Sequence, residues 1–282
     1  MATRFHTKHI RGQKIAYLEE GEGPLVICLH GFPDSAHSFD ELRRPLVEQG
    51  YRVVAPWLRG YYPSGPAADG DYSVATLSDD ILHLIEHLGE DKAALVGHDW
   101  GGLAAYCAAN QSPEKIEKLV VLGVPHLYKV NPSVKQIFNS WYVWLFQIPF
   151  LPEYLLERNH YQMVDQLYHL WSPNWDVDEM SLKATKDSLS GHGGPKHAIT
   201  FYRKLMRGFS RRSLKLLTQQ TSTSSLWFCG REDGSLHMNQ FEGIEEAFTG
   251  EFELVALDHV GHFIHREAPD LVNDRVMAFL DS

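Results

Sequence analysis

Five residues, Gly97-His98-Asp99-Trp100-Gly101, constrain this chain more than any other stretch. Ala93-Ala94-Leu95-Val96 before them is a short apolar run of the kind a buried strand shows. Gly102 to Ala109 after them is rich in small residues and reads as the start of a helix. A strand, a tight turn flanked by glycine and a helix make an elbow that holds one side chain above the end of a sheet. The glycines allow a strained turn and let the helix close onto the strand. The central residue is aspartate, not serine, and that selects the chemistry. A free aspartate has a pKa of about 3.9, so at neutral pH it attacks without a base to remove a proton. Attack on saturated carbon, as in opening an epoxide or displacing a halide, leaves an ester that water can cleave. Attack on an ester would leave an anhydride, so ordinary ester cleavage is disfavoured. The competing role for Asp99 is to cap the helix that follows.

The rest of the chain fits around such an elbow. Phe5–Ile10 and Lys14–Glu19 read as a hairpin turning at Arg11-Gly12. Leu25–Leu29, Tyr51–Pro56, Leu119–Leu122, Ser225–Cys229 and Phe252–Leu257 read as further strands. Helices are expected over 38–49, closed by Gly50, over 74–87 with Ser73 or Thr76 as its cap, near 243–248, and over 269–280. Most strands are continuous apolar runs alternating with helices, which predicts an α/β fold with a mostly parallel sheet covered on both faces. Between Leu127 and Phe209 the alternation stops. That stretch holds Trp141, Trp144, Trp171 and Trp175 with many tyrosines, and prolines break it into short helices. The expected organisation is an α/β core over 1–126 and 210–282 with a helical cap, 127–209, inserted after the strand at Leu119–Leu122.

Composition excludes several roles. Thirty-six acidic residues against 26 basic give a net charge of -10 without a basic run, so nucleic acid is excluded as a partner. Cys28, Cys107 and Cys229 lack metal-like or disulfide-like spacing and read as buried thiols, which suits the cytoplasm. Met1–His9 is polar and has no signal-peptide pattern. The aromatic run Trp141–Leu151 is shorter than the roughly 20 residues that span a bilayer, so no stable membrane insertion is expected and the run reads as a pocket wall.

Resolving an ester on Asp99 takes a base, a water and an oxyanion site. Asp233 follows the strand ending at Cys229, and His262 follows the last strand, in the order nucleophile, acid, histidine. His262 is the expected base, with Asp233 fixing its tautomer. Glu232 and Asp258 compete with Asp233, and His259 and His265 compete with His262. The backbone N–H groups of Phe32, in His30-Gly31-Phe32-Pro33, and of Trp100 are the expected oxyanion donors. His30 and His98 read as structural. Trp100, Trp141 and Phe263 are expected to line the substrate pocket.

Taken together, His30-Gly31-Phe32-Pro33, Gly97–Gly102, Asp233 and Gly261-His262-Phe263 resemble the α/β-hydrolase superfamily. The closest resemblance is to the epoxide hydrolases, in the branch with an aspartate nucleophile that includes haloalkane and fluoroacetate dehalogenases. Epoxide hydrolases use two cap tyrosines to protonate the opened ring. The resemblance puts the first at Tyr142, in Ser140–Pro149, and the second at Tyr202, in Phe201-Tyr202-Arg203, with Tyr154, Tyr161 and Tyr168 as substitutes. It implies hydrolysis of a small-molecule epoxide to a diol by water, without cofactor or metal. A homodimer is the assembly left open. A dehalogenase using the same triad is the alternative, and a non-catalytic binding protein on this fold is the alternative of another class. Phe32 replaces the asparagine common in haloalkane dehalogenases. Tyr142 replaces the histidine of fluoroacetate dehalogenases, and no arginine stands near the elbow. The loop Pro56–Ser64 departs from the family turn, with Trp57 in place of an acid and Tyr62 in place of glycine.

Overall fold

The computed structural model describes residues 5–131 and 133–282. The chain begins with β1 (His6–Ile10) and β2 (Gln13–Glu20), the expected hairpin, with Arg11 and Gly12 both at positive φ in its turn. Strand β3 (Leu25–Leu29) is buried throughout. A 3-10 turn, Ala36–Phe39, leads into α1 (Asp40–Glu48) in place of the single helix expected over 38–49. Then come β4 (Arg52–Pro56) and α2 (Val74–His87), whose N-cap is Ser73, accepting from the Thr76 N–H. The elbow follows: β5 (Ala93–His98), Asp99 and α3 (Trp100–Gln111). Strand β6 (Ile116–Leu122) ends the first α/β run.

No strand lies among the described residues of 127–209. They form α4 (Val134–Asn139), α5 (Trp141–Leu145), α6 (Leu151–Trp171), α7 (Glu179–Leu189) and α8 (Gly194–Met206). Helix α6 is kinked where Asn159, His160 and Tyr161 take positive φ. Helix α9 (Arg211–Thr218), which the sequence pattern did not announce, packs on α2 and α3. Strands β7 (Ser225–Gly230) and β8 (Phe252–Leu257) complete the sheet. The helix expected near 243–248 is a 3-10 turn, Ile244–Ala247. Short α10 (Ile264–Glu267) and α11 (Pro269–Leu280) close the chain.

The eight strands form one sheet in the order β1-β2-β4-β3-β5-β6-β7-β8. From β4 to β8 the neighbours are parallel, while β1 and β2 pair antiparallel at one edge. This arrangement is the α/β-hydrolase class of fold. Register brings the functional loops together. Leu29 lies beside Gly97, His98 beside Leu122, Leu122 beside Phe228, and Gly230 beside Leu257. The loops that follow β3, β5, β7 and β8 therefore leave the sheet at one edge, where open parallel sheets carry their sites. The elbow needs glycine for contact as well as conformation. A Cβ on Gly101 would strike the Leu29 carbonyl, so only glycine lets α3 start this close to β3.

The helices of 127–209 are tied to the sheet's loops by buried polar contacts. The Trp171 carbonyl, at the end of α6, accepts from the N–H groups of Gly234 and His262 at 3.1 and 3.0 Å. Arg266 donates to the Tyr168 hydroxyl at 3.1 Å and stands 3.5 Å from Asp34, while its guanidinium lies over the Trp175 ring. Thr185 and Ser188 of α7 donate to the Asp34 carboxylate and carbonyl. Burial of these charged groups is tolerable because they are paired. All three cysteines are buried free thiols. No helix of the described residues is long and apolar enough to cross a membrane.

Candidate active site

Asp99 sits at φ 50, ψ -119, backbone that a non-glycine residue adopts only under constraint. Its side chain does not cap α3. Instead Oδ1 accepts the Phe32 N–H at 2.8 Å, and the Trp100 N–H also bears on the carboxylate. The two backbone donors expected to form an oxyanion site thus converge on one carboxylate. Gly31 makes this possible, because a Cβ there would overlap the Asp99 side chain.

Asp233 and His262 meet as the spacing predicts. His262 Nδ1 lies 2.9 Å from Asp233 Oδ2, and both side chains are buried. The other Asp233 oxygen accepts from the N–H groups of Ser235 and Leu236 at 2.6 and 2.8 Å. These bonds fix the Asp233 side chain so that its second oxygen accepts from Nδ1 of His262 and holds the proton there. Nε2 is then left facing Asp99 Oδ2 at 3.9 Å, with no hydrogen-bond partner. The competitors lie elsewhere. Glu232 pairs with exposed His259 at 3.1 Å, Asp258 pairs with Arg231 at 2.9 Å, and His265 bonds Ser38 at 2.6 Å.

Burial works against both charged partners. It raises the pKa of Asp99 above the ordinary value, opposed by the charge of His262 and the two backbone N–H groups. It is also the largest single influence on His262, where it lowers the pKa, but the charge and hydrogen bond of Asp233 together with the charges of Asp99 and Glu267 outweigh it and the net shift is upward. His30 is the reverse case. Burial pulls its pKa down to about 4, and the neutral ring bonds the Gly31 carbonyl and the Leu58 N–H, shaping the loop. His98 Nε2 bonds the His262 carbonyl at 3.0 Å. Both histidines have the structural contacts expected of them.

An aromatic roof covers the carboxylate. Tyr142 on α5 and Tyr202 on α8 are buried, with their rings crossing edge to face at 5.6 Å. Burial raises both hydroxyl pKa values, and the charge of Asp99 raises them further. The Tyr142 hydroxyl bonds Ser235 Oγ at 2.9 Å, next to the residue that holds Asp233. The Trp100 indole N–H and the Tyr202 hydroxyl face each other without a hydrogen bond of normal geometry, and the indole acts to hold the hydroxyl's pKa down against burial, leaving the hydroxyl proton without an acceptor among the described residues. Trp100 crosses Tyr202 edge to face at 5.1 Å.

One expected pocket residue faces away. Trp141 is 42% exposed and lines an outer groove with Leu155 and Leu170. Neighbours on a helix point about 100° apart, so turning Tyr142 inward turns Trp141 outward. Phe263 is buried against His262, with the ring centroids 5.3 Å apart, and stacks on Tyr168 at 4.0 Å. The inner wall is made by Phe32, Phe146, Trp171 and Phe201, which contact the two tyrosines, His262 or Trp100. Ser235 was also missed. Phe201 and Ser235 stand within two residues of positions the sequence singled out and Phe146 lies in the aromatic run that reads as a pocket wall, whereas Trp171 carried no signal of its own. The Tyr154 ring is exposed, and Tyr168 is engaged with Arg266 and Thr185. The unusual loop residues Trp57 and Tyr62 line a separate cavity of about 560 Å³ at the seam between α7 and the sheet.

A model of the alpha/beta hydrolase fold matches residues 24–269. The chain is 33% identical over 279 residues to epoxide hydrolase 3 of Mus musculus, covering 95% of this chain and 74% of that protein. It is 32% identical over 264 residues to the AB hydrolase superfamily protein YfhM of Bacillus subtilis (strain 168), covering 92% and 91%. Among solved structures, epoxide hydrolase A from Mycobacterium thermoresistibile superposes with a TM-score of 0.85 at 25% identity, covering 99% and 98% of the two chains. A mutant of the Bacillus megaterium epoxide hydrolase bound to its diol product superposes with a TM-score of 0.87 at 25% identity, covering 98% and 100%.

Proposed function

The chain belongs to the alpha/beta hydrolase family, in its epoxide hydrolase-like branch, and on that premise we propose that it opens an epoxide to a vicinal diol through a covalent ester on Asp99. The observation that carries this reading is the placing of a buried carboxylate, with His262 behind it, beneath two buried tyrosines.

In the first step the carboxylate of Asp99 attacks a ring carbon, the carbon–oxygen bond breaks, and the oxygen leaves as an alkoxide. Tyr202 or Tyr142 gives it a proton. Burial makes both hydroxyls weaker acids than an ordinary tyrosine, but an alkoxide is a far stronger base than a phenolate in the same surroundings, which favours the transfer. The Tyr202 hydroxyl is free to donate as the site stands. Tyr142 shares a bond with Ser235 Oγ, and with the serine as donor its own proton is left for the substrate.

In the second step His262 Nε2 takes a proton from a water, and the hydroxide attacks the ester carbon. The Phe32 and Trp100 N–H groups, already aimed at this carboxyl, hold the oxyanion. Collapse releases the diol and restores the carboxylate, and the proton on His262 returns to the tyrosinate. Esterification also prepares the base. It removes the Asp99 charge that helps hold a proton on His262, so the imidazole gives up that proton more readily once the ester has formed.

The test is product analysis on an aryl epoxide, a haloalkane and fluoroacetate. Diol from the epoxide, lost in Asp99→Asn, with no halide from the other two, is expected. Halide release without diol overturns the reading in favour of a dehalogenase, and tight epoxide binding without turnover favours a binding protein.

A further inference from the structure

Each main-chain N–H of Gly261, His262 and Phe263 has a partner, and a third carboxylate gathers them. The Gly261 N–H donates to Glu267 Oε2 at 2.7 Å. The His262 N–H is shared between the Trp171 carbonyl and Ser172 Oγ, both at 3.0 Å. The Phe263 N–H donates to the same Ser172 Oγ at 3.3 Å. Ser172 is the buried C-cap residue of α6. A hydroxyl has one proton and two lone pairs. Here the two N–H groups take the lone pairs, and the proton goes to Glu267 Oε1 at 2.5 Å. Glu267, the last residue of α10, therefore receives one donor on each oxygen. Only a carboxylate presents two acceptors to such a pair, because a carboxamide has one and would turn its NH₂ group on the other donor. The preceding residue, Arg266, donates to the Tyr168 hydroxyl one turn earlier on α6, so two adjacent side chains fasten α10 to the end of that helix. The contact is close. A Cβ on Gly261 would strike Ser172 Cα.

We propose that Glu267 is a positioning residue for ester hydrolysis, holding Ser172 and Gly261 together so that the main chain of His262 aims Nε2 at the Asp99 ester. The proposal rests on the reading of His262 as the base of the second step. Glu267 touches neither the ester nor the water and acts through the chain that carries the base. It also adds negative charge beside that base. Burial lowers the pKa of His262, while Asp233, Asp99 and Glu267 raise it. Burial raises the pKa of Glu267, opposed by the Ser172 hydroxyl, the Gly261 N–H and the charge of His262, with Asp233 adding to the rise. His98 and His265 also bear on His262, and burial pulls both well below the ordinary histidine value. Once the ester has formed, Asp99 carries no charge. Asp233 and Glu267 are then the carboxylates left to set the basicity of His262.

Single turnovers on an aryl epoxide test this, with the ester followed by intact mass in Glu267→Gln, Glu267→Asp and Ser172→Ala and a thermal melt beside each. Glu267→Gln should form the ester at close to the wild-type rate. It should resolve the ester on the order of 100-fold more slowly, the cost of moving a catalytic group by about 1 Å. Glu267→Asp keeps two acceptor oxygens and should recover part of that loss. Ser172→Ala breaks the relay but keeps the charge, so it should slow ester decay without moving its pH midpoint. In Glu267→Gln the midpoint should fall, because removing a negative charge lowers the pKa of His262. Ester decay at the wild-type rate in Glu267→Gln overturns the proposal. So does an equal loss in both steps with a lowered melt, which would make Glu267 an anchor of α10 alone. A wild type that yields diol with no ester at any pH overturns instead the covalent reading beneath the proposal, and the wild-type trace by itself tells the two failures apart.

Discussion

His262 Nε2 stands 3.9 Å from Asp99 Oδ2, too far for a direct hydrogen bond and close enough for one water to reach both. The same imidazole is tied on its other side to Asp233 at 2.9 Å. The base is thus oriented toward the nucleophile's carboxyl without being spent on it. This spacing separates the two chemical steps, since alkylation asks for the Asp99 anion and a tyrosine proton, while ester hydrolysis asks for a neutral His262.

That separation sets a pH dependence. The pKa of His262 is raised, so its neutral, base-competent form is lost as the pH falls through a value above that of an ordinary histidine in the free enzyme. Loss of the Asp99 charge on esterification lowers that value again. In single turnovers the ester should decay more slowly as the pH falls from about 7 to about 5, the range where histidine titrates, and should accumulate while alkylation continues. Rapid-quench mass measurement of the intact chain checks this. A decay rate that is flat across the interval contradicts His262 as the base.

The tyrosines are predicted to act in the first step alone. Tyr142→Phe and Tyr202→Phe should each slow alkylation, and together by roughly 10²- to 10⁴-fold, the usual worth of a general acid. The decay of a preformed ester should change little. Tyr142→Phe also gives up the bond to Ser235, at about 1 kcal/mol of stability, while Tyr202→Phe has no bond of normal geometry to lose. Pre-steady-state kinetics separates the steps. A double variant that alkylates at the wild-type rate removes both residues from this role.

Gly31 offers a test by packing. A Cβ at this position overlaps the Asp99 side chain, so Gly31→Ala must push the carboxylate off its backbone donors. A displacement near 1 Å costs on the order of 100-fold in rate. The expected outcome is a folded protein with kcat/KM reduced by about that factor, measured beside its thermal melt. Full activity would mean the loop moves aside freely.

Much of the fold was legible because the buried strands are unbroken apolar runs. Val26, Ile27, Leu95, Val96, Val120 and Val121 announce three neighbouring parallel strands directly. Helix α2 was legible to the residue, since Ser73 caps a clean amphipathic repeat. The short pieces were not. A four-residue turn such as Ile244–Ala247 or Ile264–Glu267 has too few residues to show a period, and α9 finds its apolar partners only through packing on α2 and α3. At the site, residues fixed by local chain geometry stood out: Asp99 in its elbow, and Asp233 and His262 after their strands. Residues fixed by where the helices land did not. Trp141 was read as facing the pocket and points away, because only the packing of α5 decides which side of that aromatic helix is inside.

The central claim is the covalent ester on Asp99, and labelled water tests it most directly. In a single turnover with enzyme in excess, in water enriched in oxygen-18, hydroxide attack on the ester carbon puts label into the Asp99 carboxylate. The account predicts a peptide spanning Asp99 that is heavier by one oxygen label and a first-formed diol without it. Label found in the diol from the first turnover, with none in the peptide, would mean that water opens the ring directly and would contradict the account.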